Sequence, residues 1–169
     1  HKSGHSIFHL HFEDQIPVPA GPYIRSELDL ELSKAYRLFT ARGLPDFDSM
    51  SFAHEALIHL LDGMSFNTSL AILEPGQGHA AVIAADKLCP KRITLLGRDL
   101  LALKFSSMNL AQLFEGELNS EALGYLEKAP SADMTLWRLR SDTDESWEEQ
   151  ALNCLVEAKH PLCVFGDIR

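Results

Sequence analysis

Cysteine is scarce. Cys89, Cys154 and Cys163 are the three in 169 residues, and no two form a C-x-x-C pair. An odd, scattered set excludes a disulfide framework and argues against a structural zinc site. Reduced, mostly buried thiols in a cytoplasmic protein are expected. No apolar run approaches the roughly 18 residues that span a bilayer, and the start does not read as a secretory leader. No membrane partner is therefore expected. Basic residues are also few: 15 Lys and Arg against 24 Asp and Glu, a net charge of −9. Phosphate neutralisation needs clustered Lys and Arg, so the chain does not read as an independent nucleic-acid binder. Internal repeats and low-complexity tracts are absent, which excludes a solenoid.

What is present suits one domain with a sizeable core, since 46% of residues are hydrophobic and 23% charged. Acid concentrates in two places. Asp46 to Lys87 holds six acids against one base, and "SDTDESWEE" (Ser141–Glu149) holds five acids and no base. The second run reads as a solvated helix start. Among eight histidines, His9 and His11 would share one face of a strand, and His54 and His59 form a second pair. No third ligand lies close to His9 and His11 in sequence, so no metal is expected.

The opening "HKSGHS" reads as an expression scar or a mid-protein cut and is set aside. "SIFHLHF" (Ser6–Phe12) alternates as a short strand does, and the proline-rich "IPVPAGP" (Ile16–Pro22) must be extended or turning. Asp29 to Thr40 is either a short helix or a strand pair. Residues 1–45 are expected to form an N-terminal extension or cap, and 46–169 an α/β domain.

From Ser49 the pattern sharpens. Phe52, Ala53, Ala56, Leu57, Leu60 and Leu61 recur at helical spacing up to Gly63. Leu70–Leu73 reads as a buried strand, and His79–Leu88 as a helix stopped by Cys89-Pro90. Arg92–Leu96 is a second strand. Asp99–Leu110 is a second helix of this region with Asp99 as N-cap. Gln112–Leu118 and Ala132–Leu139 are predicted strands, Trp147–Ala158 a helix and Pro161–Asp167 a fifth strand. This alternation predicts a doubly wound, Rossmann-like, mostly parallel sheet with helices on both faces. Such a fold normally continues beyond a fifth strand, so a fragment of a longer protein is expected.

The chemistry centres on "LAILEPGQGHAAVIAADK" (Leu70–Lys87). Glu74, Gly76, Gln77 and Gly78 fall at the carboxyl end of the first buried strand, where an open parallel sheet places its ligand crevice. Two glycines allow a tight turn and a close backbone approach. Glu74 could accept a hydrogen bond from a ligand amine or hydroxyl. The third small position is Ala80 rather than a spaced glycine, so the phosphate-cradling dinucleotide motif fits poorly and a nicotinamide-binding domain is the weaker reading.

This turn resembles motif I of the class I S-adenosylmethionine-dependent methyltransferases, and "KRITLLGRDLLALKFSSMNL" (Lys91–Leu110) resembles their second strand and helix. The resemblance implies that fold, with S-adenosylmethionine as cofactor. It also exposes a departure. In the family, the first acid after the second strand holds the ribose hydroxyls, and here that position is Gly97. Losing a bidentate, charge-assisted contact of roughly 1.5–3 kcal/mol would weaken binding by about one to two powers of ten. Asp99 aligns with a second acid, which either caps the helix or swings in as a substitute. Glu117 either stands near the adenine or is a surface acid.

Methyltransferases acting on exocyclic base amines usually carry Asn/Asp-Pro-Pro-Phe/Tyr after the fourth strand. "ADMTLWRLRSDTDESW" (Ala132–Trp147) contains no such tetrad, and Trp137, Arg138 and Arg140 occupy the region, Trp137 expected in the core and Arg138 and Arg140 as exposed ends or phosphate contacts, with the structural role favoured for all three. No residue can be named as a catalyst. A narrower resemblance covers roughly residues 45–169. "SFAHEALIHLL" (Ser51–Leu61), "LAILEPGQG" (Leu70–Gly78), "MTLWRLRSDTDESWEEQALNCL" (Met134–Leu155) and "LCVFGDIR" (Leu162–Arg169) are similar in order to the tetrad-less N-terminal domain of ribosomal RNA guanine-N2 methyltransferases. That implies a C-terminal catalytic domain as partner, with RNA gripped mostly elsewhere. Two expectations stand together: a cofactor-binding methyltransferase domain, or a scaffold of the same fold without turnover.

Overall fold

The apolar run Leu70–Leu73 lies at the centre of the molecule. In the computed structural model, which describes residues 24–46, 49–64, 68–139 and 145–166, it forms β3 (Ser69–Leu73), with Leu70 to Leu73 all 3% exposed or less. A strand apolar on both faces needs cover on both, as parallel sheets provide. Its neighbours are β4 (Arg92–Gly97) and β6 (Met134–Leu139), both parallel to it. Leu73 stands opposite Leu96 on one side and Trp137 on the other. With β5 (Glu117–Ala122) and β7 (Leu162–Gly166) at the edges, the order is β5-β4-β3-β6-β7. The chain winds outward from β3 to β5, then returns to β6 on the other side. The switch point therefore falls between the carboxyl ends of β3 and β6.

Alternation along β3 divides the core. Leu70 and Ile72 pack with α1 (Phe52–Leu61), α2 (His79–Leu88) and α3 (Leu100–Leu110). Ala71 and Leu73 face the other way, where Trp147, Ala151 and Leu155 of α4 (Glu145–Glu157) pack on Trp137. Asp99 caps α3 as predicted, its Oδ1 accepting from the amides of Leu101 at 2.9 Å and Ala102 at 3.1 Å. No helix among the described residues is long and apolar enough to cross a membrane.

Of the two readings of Asp29–Thr40, the strand pair holds. β1 (Ile24–Glu31) and β2 (Ala35–Ala41) form an antiparallel hairpin that sets Leu28 opposite Leu38. The hairpin lies within the expected extension, yet Leu30 and Leu38 join the same core as α1 and α2. Asn109 of α3 fastens it, exchanging both backbone bonds of Phe39 at 2.8 Å while donating to the Gln77 carbonyl at 2.7 Å. Asp86 of α2 accepts from the Tyr36 hydroxyl at 2.6 Å and from Ser33.

One strand is displaced from its expected place. Gln112–Leu118 reads as a strand in sequence, but Ala111–Leu113 is a turn closing α3, with the Phe114 amide bonded to Leu110 O at 2.9 Å. Pairing begins only at Glu117, opposite Arg92. The apolar pair Leu113 and Phe114 belongs to the core edge beneath α3, not to a strand face. The stretch from Leu123 to Asp133, between β5 and β6, also contains no helix, unlike the other crossovers. The strand expected at Ser6–Phe12, with His9 and His11, lies outside the described residues.

Candidate functional site

At the end of β3 the backbone turns sharply. Glu74 adopts φ +55°, Gly76 φ +58° and Gly78 φ +102°. The two glycines are required for different reasons. A Cβ on Gly78 would lie 2.9 Å from Cα of Ser106, so this glycine lets α3 pack against the start of α2. A Cβ on Gly76 would lie 2.6 Å from Nη1 of Arg138. The space over the turn is thus taken by a guanidinium from the carboxyl end of β6. Arg138 is buried and pairs with Asp46, which follows β2 in the chain.

Glu74 is 3% exposed. Its Oε1 accepts from the Arg98 amide at 3.3 Å and from Arg98 Nε at 3.2 Å. The guanidinium carbon of Arg98 also sits 4.3 Å from the ring centre of Trp147. The carboxylate read as a ligand anchor therefore faces a cation from the protein itself. Two buried or half-buried ion pairs, Glu74–Arg98 and Asp46–Arg138, meet at the switch point.

The other expected site residues divide. Gln77 is buried, with Oε1 accepting from the Ala41 amide and Nε2 donating to the Pro45 carbonyl, each at 2.6 Å. Both polar ends fasten the segment after β2 to the glycine turn. Gly97 ends β4, where a Cβ would touch Pro75 Cδ at 3.4 Å, and no acid stands there. Asp99 spends one oxygen on its cap. Glu117 lies at the amino end of β5, paired with Arg92 at 3.0 Å. Five strand steps, roughly 16 Å, separate it from the carboxyl edge at Ala122. Glu74, Gly76, Gln77 and Gly78 share one turn, Asp99 follows the neighbouring strand, and Glu117 is not brought to them. Trp137 is core, 2% exposed and edge-on to Trp147. Arg140 lies outside the described residues.

Two histidines that sequence reasoning did not place at the turn belong beside it. His79 opens α2 directly after Gly78, and His54 lies on α1; both are 1% exposed, with ring centres 5.0 Å apart. His54 Nδ1 lies 2.9 Å from Ser51 Oγ, while His54 Nε2 and both nitrogens of His79 have no partner. Burial, then the charge of neighbouring His79 and Arg138, pushes the His54 pKa down to about 2. Burial, then Arg138, takes His79 down to about 4. Both are neutral near pH 7. The available signal was position: a polar residue within an otherwise Ala-rich buried helix, next to the motif glycine. Among the described residues no group of three His, Cys, Asp or Glu side chains could hold a metal. Burial raises the Cys163 thiol, and all three cysteines are free.

S-adenosylmethionine needs a free acid, open backbone over the glycine turn and a carboxylate for the ribose. Glu74 is paired with Arg98, Arg138 lies over Gly76, and Gly97 offers no carboxylate. In this arrangement the residues do not fit the cofactor.

No protein-family model and no curated protein matches the sequence. Solved structures do match. A 16S rRNA guanine-N2 methyltransferase of T. thermophilus, solved with AdoMet and guanosine, is 17% identical with a TM-score of 0.61, over 86% of this chain and 36% of that one. An Escherichia coli protein described as a methyltransferase, yhhF, is 16% identical with a TM-score of 0.60, over 80% of this chain and 77% of that one. A precorrin 8W decarboxylase of Methanobacterium thermoautotrophicum is 16% identical with a TM-score of 0.56, over 75% and 68%. The chain has the class I methyltransferase fold. A decarboxylase among these structures shows how little that fold alone says about the reaction.

Proposed function

We propose that this chain is a methyltransferase-fold domain of the ribosomal RNA guanine-N2 methyltransferase type, acting as a scaffold rather than transferring methyl groups. The observation that carries this reading is the pair of arginines at the switch point. Arg98 neutralises the acid of the glycine turn, and Arg138 fills the space over Gly76. Methyl transfer from a sulfonium depends mainly on alignment of donor and acceptor. With its acid already paired and a guanidinium packed against Gly76, the turn would have to rearrange before it could align the donor. The absent Asn-Pro-Pro-Phe tetrad and the glycine at position 97 agree with this.

The scaffold's partner would be a catalytic domain of the same fold, with RNA gripped mostly outside this acidic chain. The chain spans 36% of the T. thermophilus protein, the extent that one domain of a longer protein would have, and 77% of the E. coli protein. Calorimetric titration with S-adenosylmethionine and S-adenosylhomocysteine tests the reading. Neither heat nor a thermal shift is expected at millimolar ligand. Micromolar affinity, lost in Glu74→Ala, would establish a working cofactor site and overturn it.

A further inference from the structure

Glu74 directly follows β3 and Trp147 lies in the first turn of α4, and each is 3% exposed. The guanidinium of Arg98 lies between them, 3.2 Å from the carboxylate and 4.3 Å from the centre of the indole. A carboxylate on one side and an aromatic face on the other are the two elements that hold a partly desolvated organic cation. The indole Nε1 of Trp147 is buried without a partner, so the ring is placed by its face and not by its polar edge. Of the three, Arg98 is the least enclosed, its side chain 32% exposed. It also lies between β4 and α3, outside both elements, on a residue that neither a strand face nor a helix stripe needs.

The geometry points to a cation site built by Glu74 and Trp147, suited to a planar guanidinium group, with Arg98 as a tethered internal occupant that keeps it closed. The carboxylate supplies charge, the indole face supplies polarisable contact, and the position on an exposed connection lets the plug leave without unmaking a core element. An ion pair with one partner one-third exposed is weakened by solvent, so an external cation can compete with it. This inference goes beyond the scaffold reading and does not depend on it.

Chemical rescue tests it. The whole chain carrying Arg98→Ala is titrated with millimolar guanidinium chloride, urea or sodium chloride, following thermal unfolding and tryptophan emission. Urea has nearly the shape of guanidinium without its charge. At millimolar concentration the denaturing effect of either is negligible. The variant is expected to unfold at a lower temperature than the parent. Guanidinium should recover most of that loss saturably and shift the emission, whereas urea and sodium chloride should not. Glu74→Gln in the same background should abolish the recovery. A non-saturating response equal to that of sodium chloride, or equal recovery by urea, overturns the proposal. Should Arg98→Ala not fold, Arg98→Met keeps the aliphatic stem and is judged by the same outcomes. Failure here shows in the variant's response to guanidinium; failure of the scaffold reading shows as cofactor binding by the parent chain.

Discussion

The acid sensitivity of this fold should be traceable to two side chains. His54 and His79 are buried, neutral and poorly partnered, with pKa values near 2 and 4 against about 6.5 when unfolded. Their folded values are depressed, so protons bind the unfolded chain preferentially. The neutral pair is fully compatible with the fold above pH 6.5, and stability is lost as pH falls below it. Each unfolded imidazole gains about 1.4 kcal/mol per pH unit once below its own pKa. From pH 7.5 to 5.5 the pair together should remove about 2.7 kcal/mol, a large share of a typical stability of about 5–15 kcal/mol. This window lies above the range where carboxylates titrate, near pH 4. The perturbation is His54→Leu with His79→Leu. Urea unfolding followed by circular dichroism at pH 7.5, 6.5 and 5.5 is the assay. The parent should lose stability with a slope rising toward about 2.7 kcal/mol per pH unit, and the double variant should be almost flat. At pH 7.5 the variant should be no less stable than the parent, because three unpartnered nitrogens leave the core. Equal slopes in the two proteins would refute the reasoning, and would mean that the imidazoles gain solvent or partners in solution.

Asp46→Asn should cost about 3–5 kcal/mol in thermal or chemical unfolding, because it leaves the buried Arg138 charge without its carboxylate. Arg138→Met should cost less than Asp46→Asn, since it removes the charge that needs pairing. Gly78→Ala should destabilise by about 2 kcal/mol or more, combining a left-handed backbone with a Cβ 2.9 Å from Ser106 Cα. Gly43→Ala, at φ +86° with open space around it, should cost only the backbone share, and similar losses at both positions would contradict the packing role of Gly78. Asp99→Ala should cost about 1 kcal/mol through loss of its cap on α3, whereas Glu117→Ala should be close to neutral because its partner Arg92 is exposed.

Much of the scaffold was legible because its signals are local. Leu70–Leu73 is apolar at consecutive positions, as a strand buried on both faces must be, and β3 begins one residue earlier. His79–Leu88 is a helix over those same residues, and Asp99 is the cap its type and place suggested. The strand after α3 was misplaced because Leu113 and Phe114 are apolar for a reason periodicity cannot show: they close the core under a helix end. That shift of several residues carried Glu117 to the far edge of the sheet. Asp29–Thr40 stayed open in sequence because short apolar runs suit helix and strand alike.

By itself the order of residues determined the alternating architecture, the sharp turn at Glu74–Gly78 and the absence of the tetrad, since each depends on neighbours within a few positions. Only the tertiary structure decided which side chains meet around the turn. Arg98 reaches Glu74 and Trp147, Arg138 covers Gly76 and pairs with Asp46, Gln77 turns to Ala41 and Pro45, and His54 meets His79. Those partners lie up to 92 positions apart in the chain. A charge or an imidazole has no preferred partner until the sheet brings two strand ends together and excludes the water that would otherwise solvate it.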